Sequence, residues 1–216
     1  MAEPAASSGP DLPLAWRAPA DYLAAIDQQP GVLLLSGGDG TPRGRFSYLT
    51  AFPAAFIHMP GEPDPLEPLR TARQLYPQAW IGGLLSYDLA GRFEALPPLD
   101  GPVTPWPEMA LGVYEAIAAF DHQTGRAVIR GEPGAAARLQ AGLLAPAPAR
   151  TDTALLAPLE PVWSEARYLA AARTARNYVR AGDVFQVNLS HRFGARIQGA
   201  QAPLAVLKAV ASTSPA

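Results

Sequence analysis

Ala181-Gly182-Asp183-Val184-Phe185-Gln186-Val187-Asn188-Leu189-Ser190 joins the stop signal of a helix to an alternating strand, and its reading decides what kind of body the chain builds. Upstream, Tyr168, Ala172, Ala175 and Val179 recur at helical spacing, with Ser164 placed to cap the helix and Gly182 to end it. After Gly182 the period changes to two. Phe185, Val187 and Leu189 face one way, while Gln186, Asn188 and Ser190 face the other. One face is therefore expected to pack and the other to offer two amides and a hydroxyl to partners inside the protein. The alternative is an ordinary helix-turn-strand unit with those groups in water.

The chain has 216 residues, 49% hydrophobic and 17% charged, enough apolar side chain for one large or two small cores. Its formal charge is −2, and the 17 basic residues are scattered without a run that would neutralise consecutive phosphates, which argues against nucleic acid as a partner. The absence of cysteine removes disulfides, thiolate nucleophiles and cysteine-based metal sites, and it fits a reducing, cytoplasmic setting. Residues 1–20 lack the basic start and apolar centre of a signal peptide and are expected to form a flexible tail. No apolar run reaches the roughly 20 residues of a membrane-spanning helix, so no membrane partner is expected.

Along the chain, a short helix is expected over residues 21–26, then a strand over 32–35 whose unbroken apolar run suggests burial on both faces. Turn chemistry over 37–42 leads into strands at 46–52 and 54–59. A helix follows over 65–76, and then a strand over 80–87 in which Gly82-Gly83 predicts a bulge or a close backbone approach. Strands over 109–120 and 127–129 flank a hairpin turn at 121–126 and should pair antiparallel. After a helix over 134–144, a Pro-rich connection sets the expected domain boundary near residue 150.

Most catalytic signatures are missing. His58, His122 and His191 have no metal-ligand spacing, the 37–44 segment lacks the Lys-Ser/Thr ending of a phosphate loop, and there is no Gly-x-Ser-x-Gly elbow.

Ala-Gly-Asp followed by Phe185-Gln186-Val187-Asn188-Leu189-Ser190, Arg192 and Phe193 resembles the signature that opens the chorismate-utilising domain of the anthranilate synthase and aminodeoxychorismate synthase component I family. Gly82-Gly83-Leu84-Leu85-Ser86-Tyr87-Asp88, running on to Pro97, with Pro107-Glu108-Met109 through Tyr114 and Asp121-His122, is similar to the aminodeoxychorismate branch in particular. Within that stretch Asp88, Arg92 and Glu94 are expected to fix an irregular loop rather than to do acid–base chemistry. Leu33-Leu34-Leu35-Ser36-Gly37 with Arg45-Phe46 resembles the elements that line a tryptophan pocket in the family. That likeness implies a ligand site at Ser36, Arg43, Gly44, Arg45 and Phe46, where leucines and Phe46 supply an apolar slot and hydroxyl, backbone or cationic groups hold the amino-acid head.

The resemblance implies an α+β fold, a β-sandwich-like N-terminal domain wrapped by helices over 21–150 and the incomplete start of the chorismate-utilising domain over 151–216. It implies an enzyme that adds ammonia, from a glutamine amidotransferase partner, to Mg2+-bound chorismate, giving 4-amino-4-deoxychorismate for p-aminobenzoate and folate. It also places the family's active-site lysine and metal-binding glutamates beyond Ala216, leaving no catalytic or metal-binding residue in this chain, and residues 212–216 just short of the segment that completes the tryptophan pocket. Anthranilate synthase component I and a non-catalytic amino-acid-binding or docking module are the alternatives.

Overall fold

The computed structural model describes residues 9–26, 29–36, 40–58, 64–96, 107–146, 158–195 and 202–213. The turn at 37–39, the Pro-rich connection from 147 and the last three residues, all subjects of expectations above, lie outside them. The chain divides into two compact units, one drawn from residues 1–149 with 207–216 and the other from 150–206.

In the first unit the strands are β1 (Leu12–Leu14), β2 (Gly31–Leu34), β3 (Phe46–Ala51), β4 (Ala55–His58), β5 (Trp80–Leu85), β6 (Met109–Tyr114), β7 (Ala116–Asp121) and β8 (Arg126–Gly131). The helices are α1 (Leu23–Ile26), α2 (Glu67–Leu75) and α3 (Pro133–Leu144), with 3-10 turns at Pro19–Asp21 and Tyr87–Arg92. Five strands form one sheet in the order β1-β8-β7-β3-β2, and three form another in the order β4-β6-β5. Every pairing is antiparallel, and the turn at 121–126 closes the β7–β8 hairpin as its turn residues predict.

The central strands of the larger sheet are apolar on both faces because both are covered. Leu49, Ala118, Phe120 and Ile129 point to the side packed by Ile26 and by Leu139 and Leu143 of α3. Tyr48, Ile117, Ala119 and Val128 point to the other side, where Trp80 of β5 packs on them. This is the sandwich contact, reinforced where Val32 lies 3.5 Å from the position a Cβ on Gly82 would take. The smaller sheet buries Ile57, Met109, Leu111 and Val113 against Ala72, Leu69 and Tyr76 on and beside α2. Gly83 sits at φ +153 with its α-carbon so near β6 that a Cβ would stand 2.2 Å from the Ala110 carbonyl oxygen, the close approach expected of the Gly-Gly pair.

Three expectations need correction here. Residues 12–14, expected in a flexible tail, form the outer strand β1, with Leu12 opposite Ile129 and Leu14 buried. The tail reading failed because Ala and Pro dominate the segment while its three strand residues are too few to register as a period. β2 lies at the sheet edge and is only partly covered, so Leu34 is exposed rather than buried. The strand expected over 109–120 breaks at Glu115 into β6 and β7, which belong to different sheets. At the break the Glu132 N–H donates to the Glu115 carbonyl at 2.8 Å, beside the Ala116–Gly131 pairing that draws β7 into the larger sheet.

The second unit holds β9 (Glu160–Pro161), α4 (Glu165–Ala181) and β10 (Phe193–Gly194), and a last helix, α5 (Ala202–Thr213), follows. α4 begins and ends as read: Ser164 Oγ accepts the Arg167 N–H, and Gly182 closes it at φ +81. Its apolar stripe is only half covered, since no residue of α4 is buried. His191 packs among Trp163, Tyr168 and Phe193 with ring centroids 4.6 to 6.0 Å away.

The strand expected over 185–190 is not formed. β10 pairs with β9 beyond it, but Phe185 is 96% exposed and Gln186, Asn188 and Ser190 are exposed as well. An extended segment cannot satisfy its own backbone groups, and no neighbouring strand to ladder with it is present among the described residues. The alternation itself survives, since Gln186 Nε2 donates to Asn188 Oδ1 at 3.3 Å along one side.

Candidate functional site

The five residues implicated by resemblance lie on one loop and the first residue of β3. Ser36 follows β2, and its N–H donates to Ser47 Oγ at 2.9 Å, while its own hydroxyl donates to the Arg43 carbonyl at 3.4 Å. Gly44 is buried, with its N–H donating to Thr41 Oγ1 at 3.1 Å. Phe46 is half-buried and stacks on Tyr48. The loop is thus closed on itself by short-range bonds and anchored to β3 through Ser47.

Arg45 is paired within the fold. Its Nε and a terminal nitrogen donate to the two oxygens of Asp121 at 3.0 and 2.7 Å, and its guanidinium lies over the Phe46 ring at 4.7 Å. A fork of this kind commits the cation to the β7 end. Arg43, by contrast, is exposed and its side chain meets no carboxylate among the described residues. The Arg45 guanidinium beside Asp121 also holds that carboxyl well below the ordinary carboxylate range, aided by Thr124 and the Gln123 N–H.

A depressed carboxylate stabilises the fold above its unfolded value of 3.8, and that contribution is lost as pH falls toward the folded value. Asp121→Asn is therefore expected to cost about 1–2 kcal/mol at neutral pH, a modest figure because Arg45 is partly solvated. The gap from the parent in urea unfolding should shrink below about pH 4, and a gap that is constant down to pH 2.5 would contradict the assignment.

Beneath the loop lie His122 and Trp16. His122 has no metal-ligand spacing and figured in the resemblance only as the neighbour of Asp121; its Nε2 stands 2.8 Å from Ser47 Oγ and its backbone N–H donates to the Arg45 carbonyl at 2.9 Å. Trp16 meets the imidazole edge-on at 5.4 Å. The available signal was the Asp121-His122 pair at the end of an alternating strand, which puts His122 on the same face as Phe120. Burial pushes the His122 imidazole below its ordinary value, opposed by the Asp121 charge.

A cleft of about 780 Å³ in the first unit lies elsewhere. Leu69, Tyr76, Trp80, Ile81, Glu115 and Glu132 are among the residues that line it, and none of the five loop residues does. Glu132 is already committed there, its carboxylate accepting the Gly134 and Ala135 N–H groups as the cap of α3. In the stretch after β5, Arg92 pairs with Glu108 at 2.7 Å rather than with Glu94, and Ser86 Oγ caps the 3-10 turn by accepting the Asp88 N–H. Among the described residues no group of three His, Cys, Asp or Glu side chains is placed to hold a metal ion, so a donor set for magnesium is not found there. No helix among them is long and apolar enough to cross a membrane.

Two antiparallel sheets of this order, helices on the outer faces and an Arg-Phe loop at the sheet end define an α+β body of a known kind. Residues 44–216 match the family described as chorismate binding enzyme, and the chain belongs to that family. It is 29% identical over 216 residues to aminodeoxychorismate synthase component 1 of Salmonella typhimurium, covering 87% of this chain and 48% of that protein. It is 31% identical over 179 residues to anthranilate synthase component 1 of Streptomyces coelicolor, covering 68% of this chain and 35% of that one. The structure superposes on anthranilate synthase component I of Streptococcus pneumoniae with a TM-score of 0.63 at 24% identity, over 86% of this chain and 48% of that chain. The chain spans about half the length of the curated aminodeoxychorismate synthase relatives it matches.

Proposed function

We propose that the chain is the N-terminal half of an enzyme that aminates chorismate to 4-amino-4-deoxychorismate, with residues 21–150 as its N-terminal domain and 151–216 opening the chorismate-utilising domain. The observation that carries this is the reach of the sequence alignments to curated relatives: those to the aminodeoxychorismate synthase component 1 proteins run through 87% of the chain, those to the matched anthranilate synthase component 1 sequences through 60–68%. The substrate is a dicarboxylate whose displaced hydroxyl leaves as it is protonated, so the reaction calls for a magnesium ion, cationic clamps and an acid–base pair, with ammonia delivered by a glutamine amidotransferase subunit. Those groups belong to the other half of the enzyme. The complete gene product, given chorismate, ammonia and magnesium, is expected to release aminodeoxychorismate, and these 216 residues alone to release none. Fluorescent anthranilate as the product would favour the alternative branch, and turnover by the isolated chain would overturn the division of labour.

The loop at Ser36, Arg43, Gly44, Arg45 and Phe46 is proposed as a site for tryptophan. Arg43 would meet the carboxylate, Ser36 and the loop backbone the ammonium, and Phe46 the indole, with Arg45 fixing the loop through Asp121. Calorimetry of the complete gene product with L-tryptophan is expected to give a saturable heat that Arg43→Ala weakens about tenfold, the usual worth of a charge-assisted bond. Heat that Arg43→Ala leaves unchanged would remove Arg43 from the site.

A further inference from the structure

We propose that His122, neutral and bare at Nε2, positions Ser36 in the loop by accepting the hydroxyl proton of Ser47. The proposal rests on reading that loop as the tryptophan site, and it assigns the residue that holds the site in shape from below.

The argument is one of hydrogen count. Ser47 is wholly buried, and its Oγ accepts the Ser36 N–H at 2.9 Å. The hydroxyl has a single proton, and among the described residues its only acceptor is His122 Nε2 at 2.8 Å. If Nε2 itself carried a proton, two donors would converge on Oγ and the buried hydroxyl proton would have nowhere to go. The satisfied arrangement therefore places the imidazole proton on Nδ1 and runs Ser36 N–H to Ser47 O–H to His122 Nε2. The ring cannot readily turn away, since its backbone N–H is tied to the Arg45 carbonyl and Trp16 lies edge-on against it.

The charged groups at hand do not force protonation. Asp121 is the carboxylate that acts on the ring, and both its oxygens are taken by Arg45. Burial favours the uncharged imidazole, so the ring gains its proton only below its ordinary value of 6.5. When it does, the chain of bonds loses its acceptor, and Ser36 loses the hydroxyl that fixes its N–H. The same substitution of roles links ligand affinity to pH, because the loop binds well only while His122 is neutral.

Nitrogen-15 spectra of the complete gene product, labelled at histidine, test the tautomer directly at pH 7.5. The expected result is a bare Nε2 and a protonated Nδ1, and the reverse assignment overturns the proposal. His122→Ala is expected to raise hydrogen exchange at the Ser36 amide about tenfold while the Ile129 amide keeps its protection, and His122→Gln, whose amide oxygen can accept the same proton, to restore it. Unchanged Ser36 exchange in His122→Ala would overturn the positioning role. L-Tryptophan affinity should fall about tenfold in His122→Ala, recover in His122→Gln, and decline in the parent protein as pH drops below 6.5. If the parent binds no tryptophan, the ligand reading fails by itself, and the tautomer and exchange results still decide whether His122 holds the loop.

Discussion

Phe120→Ala is expected to destabilise the first unit by about 3–5 kcal/mol, the range found when a large buried ring is cut back to a methyl group. Phe120 is wholly buried at the middle of the larger sheet, opposite Ala127 on one neighbouring strand and Ser47 on the other. Its ring meets Trp16 at 6.2 Å and Tyr22 at 5.7 Å, so it joins β1, the first 3-10 turn and the central strands into one cluster. Tyr22 is itself pinned, its hydroxyl donating to the Ala15 carbonyl, and cannot swing in to fill the hole. The cavity should therefore persist and add to the lost transfer energy. Urea unfolding followed at the tryptophans measures the effect, and a loss under about 1 kcal/mol would mean that this cluster is not the centre of the core.

How far the fold was legible follows from which signals are local. The stop at Gly182, the cap at Ser164, the hairpin closed at 121–126 and the Gly82-Gly83 approach are all written within a few residues of where they act. The break at Glu115 is not. Its cause is the pairing of Ala116 with Gly131, which draws β7 into the larger sheet, whereas β6 pairs with β4 and β5. A run such as Ile117-Ala118-Ala119-Phe120 is apolar at every position because both of its faces are covered, so it carries no period that would separate it from Met109 to Tyr114. β1 was hidden for a related reason, since Leu12-Pro13-Leu14 becomes a strand only through its partners on β8.

The same distinction explains the stretch over 185–190. Its period of two was legible and its ladder was not, because laddering depends on a strand that the described residues do not supply. Exposure of those amides therefore does not weigh against the family, whose match runs from residue 44 to 216 on both sides of them. In the loop, Ser36 and Arg45 were legible as motif residues, but their functions were not. The pairing of Arg45 with Asp121, distant in the chain, could not be read from either residue's neighbours. His122 was legible as the neighbour of Asp121, but its contact with the Ser47 hydroxyl arises only through the register that sets Ser47 opposite Phe120.

Gly83→Ala is expected to cost more than about 2 kcal/mol, although it adds a single carbon to an exposed position. The new Cβ would stand 2.2 Å from the Ala110 carbonyl oxygen and 3.0 Å from the Leu111 α-carbon, both backbone atoms of the paired strand that no rotamer change can move. The φ of +153 is also one that side-chain-bearing residues rarely adopt, so the substitution meets a clash and a strained backbone together. Relief requires β5 to part from β6, and that would draw Trp80 and Ile81 away from their clusters and the 3-10 turn at Tyr87–Arg92 from its Arg92–Glu108 tie. Gly82→Ala is the control. Its Cβ would meet only the Val32 methyls at 3.5 Å, an ordinary contact, and the cost should stay under about 1 kcal/mol. Equal losses for the two alanines in parallel denaturant titrations would show that lost chain entropy, rather than the approach of β6, governs this Gly-Gly pair.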